Sequence, residues 1–261
     1  MTGTMTAVAG LGAILAAMTL VWLLSVKLRD ASIADVCWGS GFALLAWFYC
    51  VLSPALTPRA WLAAALTTAW GVRLSLHILL RSRGRGEDAR YGAMRASQGP
   101  AFWWRSLFTV FWLQGAILWF VALPLLVAVR AARPAGLTAL DGLGVALFAV
   151  GFAFEVIGDH QLARFKAVPS HRGRVLDRGL WRYTRHPNYF GDATLWWGLF
   201  AIACATPGGW LTVLSPVLMS FLLMRVSGVT LLEQSLQSRP GYRDYIARTP
   251  AFFPWLPRAS R

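Results

Sequence analysis

Glu155 and Asp159 stand four residues apart in an otherwise apolar stretch, which puts both carboxylates on one face of a helix. Gln161, Arg164 and Lys166 follow on roughly the same side, so Gly151 to Lys166 passes from buried acid to emergent base within about four turns. Acids of this kind accept from ribose hydroxyls and bases meet phosphates, a division of labour that suits a dinucleotide lying along the helix. A helix end decorated with cytoplasmic topology signals would use the same side chains.

Beyond that helix, Arg164, Lys166, Arg172, Arg174, Arg178, Arg182 and Arg185 crowd around the run Gly179-Leu-Trp-Arg-Tyr-Thr-Arg-His-Pro-Asn-Tyr-Phe-Gly-Asp192. A dense cationic loop wedged between apolar spans points to an anionic ligand at the bilayer edge. Pro187 restricts the backbone of His186, and Gly191 allows close approach. Asn188 and Asp192 can satisfy the donor and the acceptor of a buried amide, a group that nicotinamide carries. Tyr183, Arg185 and His186 extend this set of candidate cofactor contacts, and Tyr189 is a candidate proton donor. The same residues would also make a plain helix start, with Asn188 as cap and Asp192 in the first turn.

Two more segments carry related chemistry. Arg81-Ser-Arg-Gly-Arg-Gly-Glu-Asp-Ala-Arg-Tyr91 offers Arg83 and Arg85, flanked by glycine, to a pyrophosphate or a 2'-phosphate, or marks a cytoplasmic loop. In the tail, Leu232 to Tyr245 reads as a helix, a turn and a second short helix, on which Tyr242 and Tyr245 could stack on adenine or anchor at the interface. Asp35, Arg73 and His77 lie within apolar spans, where ionisable groups are costly and normally pair or line a cavity. Asp35 with Arg73 could be a structural ion pair. Asp35, His77, Tyr91 and Tyr189 form the candidate catalytic set.

Membrane helices must position all of these groups. With 57% apolar residues and 14 Trp in 261, the chain is too hydrophobic for a soluble domain. Apolar spans near the ~20 residues that a bilayer requires fall at 6 to 26, 32 to 53, 60 to 80, 102 to 129, 142 to 158, 191 to 207 and 210 to 230. The fold class is therefore all-α, a polytopic bundle of about seven transmembrane helices forming one domain over 1 to 261. Its cofactor half is expected from 81–95, 151–192 and 225–255. All of the 25 Lys and Arg except Arg59, Arg73, Arg130 and Arg133 fall on one side of the seven-span topology, which sets the N-terminus outside and the C-terminus in the cytoplasm. The net charge of +14 thus reflects topology, and no nucleic-acid partner is expected. Met1 to Ser25 reads as a retained first helix, not a cleaved leader. Cys37, Cys50 and Cys204 suit packing, and neither they nor His171 and His186 have metal-ligand spacing, so no metal is expected.

The motif order Asp35-Val-Cys-Trp-Gly-Ser-Gly-Phe42, Glu87-Asp-Ala-Arg-Tyr91, Phe154-Glu-Val-Ile-Gly-Asp-His-Gln-Leu162, Phe165-Lys166, Arg185-His-Pro-Asn-Tyr-Phe-Gly-Asp192, Tyr242-Arg-Asp-Tyr245 and Thr249-Pro-Ala-Phe-Phe-Pro-Trp255 resembles the bacterial DUF1295 membrane proteins. These are related to the C-terminal region of steroid 5-alpha-reductases. The resemblance implies NADPH in the cytoplasmic half of the bundle and a lipid-facing cavity for an unsaturated substrate. It implies that Asp159 contacts the cofactor, Lys166 a phosphate, and Asn188 and Asp192 the nicotinamide, with Arg83 and Arg85 similar to an Arg-Gly-Arg segment. The steroid enzymes also use a Gln-Glu pair and a Tyr to hold the substrate carbonyl. No equivalent trio is legible here, where the second span offers Asp35 and the third Arg73 and His77.

The expected activity is NADPH-dependent reduction of a carbon-carbon double bond in a lipid, isoprenoid or steroid-like substrate, by a monomer in the bacterial inner membrane with its cofactor site facing the cytoplasm. Two alternatives stand beside it. Integral-membrane methyltransferases of the isoprenylcysteine carboxyl type share the Arg-His-Pro-x-Tyr-x-Gly run and a later acid, here Glu233, and use S-adenosylmethionine. A non-enzymatic lipid-binding protein would need only the basic face.

Overall fold

The structure is a computed structural model describing residues 1–226, 229, 233, 236 and 239–258, with no strand among them. Among the described residues, six helical stretches are long and apolar enough to cross a membrane: Gly3–Leu28, Ile33–Val51, Pro58–Ser82, Ala89–Val121, Ala139–Ala167 and Gly209–Val226. The span expected at 191 to 207 forms as the helix Pro187–Cys204 but falls outside these six, because Asn188 and Asp192 near its start lower its mean hydropathy. The tail helix expected from Leu232 lies outside the described residues except at 233 and 236.

The chain divides into two compact units, Met1–Ala139 with Ile202–Ser215, and Leu140–Ala201 with Pro216–Arg261. The first contains α1 (Gly3–Leu28), α2 (Ile33–Val51), α3 (Pro58–Ser82), α4 (Ala89–Gln98), α5 (Phe102–Ser106), α6 (Leu113–Val121) and α7 (Leu123–Arg130). Local signals set the ends of these helices. Thr2 accepts from the Met5 amide, Thr57 accepts from Ala60 with Pro58 opening the first turn, and Asp88 accepts from Arg90. Helices α2 and α3 meet backbone to backbone: a Cβ on Gly71 would fall 2.2 Å from the Gly39 carbonyl oxygen. Small residues at such crossings let membrane helices gain dispersion contact where lipid offers no hydrophobic drive.

The second unit is built on α8 (Ala139–Ala167) and α9 (Pro187–Cys204), followed by the later part of α10 (Leu214–Phe221) and by α11 (Tyr242–Arg248). Glycines at seven-residue spacing line the α8–α9 crossing. Gly144 and Phe148 face Gly198, Gly151 faces Gly191, and Gly158 faces Pro187 and Asn188. A Cβ on Gly191 would lie 2.4 Å from the Gly151 carbonyl oxygen and 2.6 Å from the Glu155 nitrogen. Gly191→Val is therefore expected to destabilise this unit by about 1–3 kcal/mol through overpacking, lowering Tm in detergent by about 5 °C. Gly142→Ala, whose Cβ meets nothing within 4 Å, should leave Tm unchanged in the same melt.

Candidate functional site

Polar groups gather in two clusters, one in each unit. In the first, Asp35 on α2 accepts from Tyr91 Oη on α4 at 2.6 Å, from Arg90 Nη2 at 2.6 Å and from Gln114 Nε2 on α6 at 3.4 Å. Gln114 Nε2 also donates to Tyr91 Oη at 2.9 Å, and its Oε1 is buried with no hydrogen-bond partner among the described residues. Just before Gln114 the helix widens into a π-helical stretch over Leu107–Trp112, a distortion that shifts the phase of the side chains beyond it. An acid, an amide and a phenol thus meet, although no such trio was legible in the sequence.

The Glu87-Asp-Ala-Arg-Tyr91 motif explains how Tyr91 is placed. Glu87 takes Arg95 bidentately at 2.8 and 2.9 Å and accepts from the Ala31 amide at 2.8 Å, while the Asp88 amide donates to Ser32. Hydrogen bonding from Arg95 holds the Glu87 carboxyl below its usual range, against the opposing effect of burial. The motif pins the loop to the turn between α1 and α2. Arg83, just before the left-handed Gly84, and Arg85, between Gly84 and the left-handed Gly86, stay exposed in this first unit, and His77 is half-buried on α3.

In the second unit, Asn188 Nδ2 donates to Asp159 Oδ1 at 3.1 Å, joining α9 to α8. Because a carboxylate only accepts, this contact fixes the orientation of the amide. Asn188 Oδ1 is left buried without a hydrogen-bond partner among the described residues. Helix α9 begins at Pro187, so Asn188 lies inside the first turn and does not cap it; its side chain goes to Asp159 instead. Glu155 and Asp159 are both buried, as expected for a paired face, and Asp192 is half-buried one turn beyond Asn188.

Beside this pair, Glu233 takes Arg185 Nε and Nη2 at 2.8 Å each and His186 Nε2 at 3.2 Å. The Arg185 guanidinium also donates to the Thr249 and Ile246 carbonyls. Arg185 was expected to meet a cofactor, but its guanidinium is committed to protein acceptors and ties the C-terminal segment to the start of α9. His186 stacks on Tyr189, with ring centroids 5.7 Å apart and planes 10° from parallel. Tyr183 is exposed, and its carbonyl accepts from the Trp255 amide. Arg164 and Lys166 lie exposed at the end of α8.

Tyr242 and Tyr245 are 2% and 3% exposed, packed on each other at 6.1 Å, with the Tyr245 hydroxyl donating to the Trp181 carbonyl. They act as core residues and not as interfacial anchors, because α11 turns both rings inward. Gln161 accepts from the Leu180 amide and lies under the left-handed Gly179, where a Cβ would collide with its amide.

Burial works to raise the Glu233 carboxyl, but hydrogen bonds from His186 and Arg185, with their charges, leave it below its ordinary range. A depressed carboxylate contributes stability above its unfolded pKa of about 4.3, and that contribution fades as pH falls through the lower folded value. Glu233→Gln is expected to remove this acid-side loss and to cost about 2 kcal/mol at pH 7, discounted for partial exposure, by stranding the buried Arg185. Melting curves of both proteins from pH 3 to pH 7 would check this; parallel curves would refute it.

Fold and clusters together define a helical membrane protein with buried acid, amide and phenol groups within its helices. The chain belongs to the DUF1295 family, described as a protein of unknown function, whose model matches residues 21–249. It is also 27% identical over 268 residues to an uncharacterized protein of Schizosaccharomyces pombe, covering 90% of this chain and 76% of that one. No solved structure matches the chain.

Proposed function

We propose that this protein is an NADPH-dependent membrane reductase of a carbon-carbon double bond in a lipid, isoprenoid or steroid-like substrate. The observation that carries this reading is Asn188, whose Nδ2 is held by Asp159 while its buried Oδ1 remains open to a donor. A carboxamide of the nicotinamide type supplies an N–H for that oxygen, and Asp192 stands one turn further along the helix. Asp159 and Glu155 supply acceptors for ribose hydroxyls, and the exposed Arg164 and Lys166 supply charge for phosphates. When bound, NADPH supplies a hydride to a polarised alkene, and the protein's part is to orient the groups and manage a proton.

For the proton we assign Tyr91. Its hydroxyl donates to the Asp35 carboxylate and accepts from the Gln114 amide, contacts that fix its direction, and after transfer the phenolate retakes its proton from water. Arg83, Arg85, His77 and Tyr189 keep the roles that the sequence suggests, as phosphate contacts for the first two and reserve proton donors for the others. With most basic loops on one side, we place the cofactor groups at the cytoplasmic face of a bacterial inner membrane, with the N-terminus outside and the protein acting as a monomer.

One observation favours a second reading. Glu233 joins Arg185 and His186, the residues shared with isoprenylcysteine-type methyltransferases. Titrating the detergent-purified protein with NADPH, NADH and S-adenosylmethionine separates the two. Preference for NADPH supports the reductase, preference for S-adenosylmethionine makes it a methyltransferase, and binding of none of them refutes both.

A further inference from the structure

A cavity of about 490 Å³ opens in the second unit away from the Asp159–Asn188 pair, lined by Arg178, Arg182, Arg248 and Arg258 together with Asp177. Arg248 is partly neutralised by Asp177 at 3.6 Å, whereas Arg178, Arg182 and Arg258 make no ion pair among the described residues. Four guanidinium groups around one carboxylate leave a net charge near +3 in a cleft of ligand size. Arginines gathered at this density, three of them with no acidic partner among the described residues, favour a phosphate-bearing ligand.

Beside the cavity, Phe253, Trp255 and Leu256 are 69%, 75% and 72% exposed. The strap that carries them is fixed: the Arg185 amide donates to the Pro250 carbonyl, the Trp255 amide to Tyr183, the Arg258 amide to Arg248, and Thr184 Oγ1 to Phe252. Phe252 and Phe253 pack against Phe190 at 6.1 and 6.3 Å, and Phe190 meets Phe154 of α8 at 5.1 Å. That contact sits just before Asp159, where the apolar part of α8 ends, so the strap lies at the depth where a membrane helix leaves the hydrocarbon. A free nucleotide gains nothing from three exposed apolar side chains, whereas a lipid needs both a charged seat and an interfacial ledge.

We propose that the cavity lined by Arg178, Arg182, Arg248 and Arg258 seats the phosphate headgroup of an acidic glycerophospholipid, with Phe253, Trp255 and Leu256 as the apolar ledge beside its glycerol and acyl chains. The site is separate from the proposed cofactor groups and does not depend on the reductase reading.

Native mass spectrometry of the full-length protein, equilibrated with equal phosphatidylglycerol and phosphatidylcholine, tests it. Phosphatidylglycerol is expected to be retained about twentyfold over phosphatidylcholine. Each arginine near the surface carries about fivefold, so Arg178→Gln/Arg248→Gln should bring the preference near unity. Trp255→Ala should weaken retention of both lipids, and Lys27→Gln should change nothing. Millimolar inorganic phosphate or NADPH should leave the lipid in place. Equal retention of the two lipids by the unaltered protein, a double variant that behaves like Lys27→Gln, or displacement of phosphatidylglycerol by NADPH or phosphate would overturn the proposal, the last by making the cleft a soluble-phosphate site. Should the double variant not fold, Arg178→Gln alone decides, since that side chain is exposed; it should cost about fivefold.

Discussion

Tyr91→Phe is expected to slow reduction of an unsaturated lipid by about 10²–10⁴-fold while leaving NADPH affinity within about threefold. The hydroxyl is the only group removed, and the ring it leaves is buried against the same neighbours, so the fold should lose about 2–4 kcal/mol, the worth of its two hydrogen bonds, one of them to a carboxylate. Asp35→Asn tests the same assignment differently. It keeps the shape but replaces an acceptor-only carboxylate with an amide, so Tyr91 loses the partner that fixes its direction at 2.6 Å. Single-turnover oxidation of NADPH, followed by nicotinamide absorbance across a panel of unsaturated isoprenoids and sterols, measures the step itself. A Tyr91→Phe protein as fast as the unaltered one would remove Tyr91 from the chemistry and pass the role to Tyr189 or His77.

That Asp35 and Tyr91 were both legible as candidates, while their contact was not, shows where sequence reasoning stops. Each stands out as a polar group beside or within an apolar run, but they lie 56 positions apart, and Gln114 is a further 23 beyond Tyr91. Nothing in composition tells which distant helix faces meet. Gln114 carried a signal of its own, a lone amide between Leu113 and Gly115 in a membrane span, where an unsatisfied polar group is expensive. The α8–α9 crossing also left a signal that went unread, Gly144, Gly151 and Gly158 on one helix and Gly191 and Gly198 on the other, each set at seven-residue spacing. The helical class and most spans follow from local hydropathy, a property of neighbours in sequence. The commitment of Arg185 to Glu233 and to the Thr249 carbonyl could not be read locally, because an arginine facing a cofactor and one tying down a tail have the same neighbours in the chain. Tyr242 and Tyr245 failed as interfacial anchors for a similar reason: their i, i+3 spacing fixes a shared face but not whether it turns inward.

Asp159→Ala is expected to weaken NADPH binding by about 10–100-fold, the 1.5–3 kcal/mol of a hydrogen bond to a charged group. Two losses contribute, the carboxylate's own contact with the cofactor and the hold on Asn188, whose amide is free to rotate once its Nδ2 has no acceptor. The second loss can be isolated. Asp159→Asn keeps an oxygen for Asn188 but no charge, so if Asp159 mainly orients Asn188 the asparagine variant should retain most of the affinity, and if it mainly contacts ribose it should behave like alanine. Lys166→Ala separates the phosphate end: it should weaken NADPH by about tenfold and NADH much less, because NADH lacks the 2'-phosphate that an exposed lysine at the end of α8 would meet. Equal weakening of NADPH and NADH by Lys166→Ala would detach Lys166 from that phosphate. Unchanged NADPH affinity in Asp159→Ala, with Tm lowered, would show that the α8–α9 pair is only a structural tie and leave the reductase without its cofactor seat.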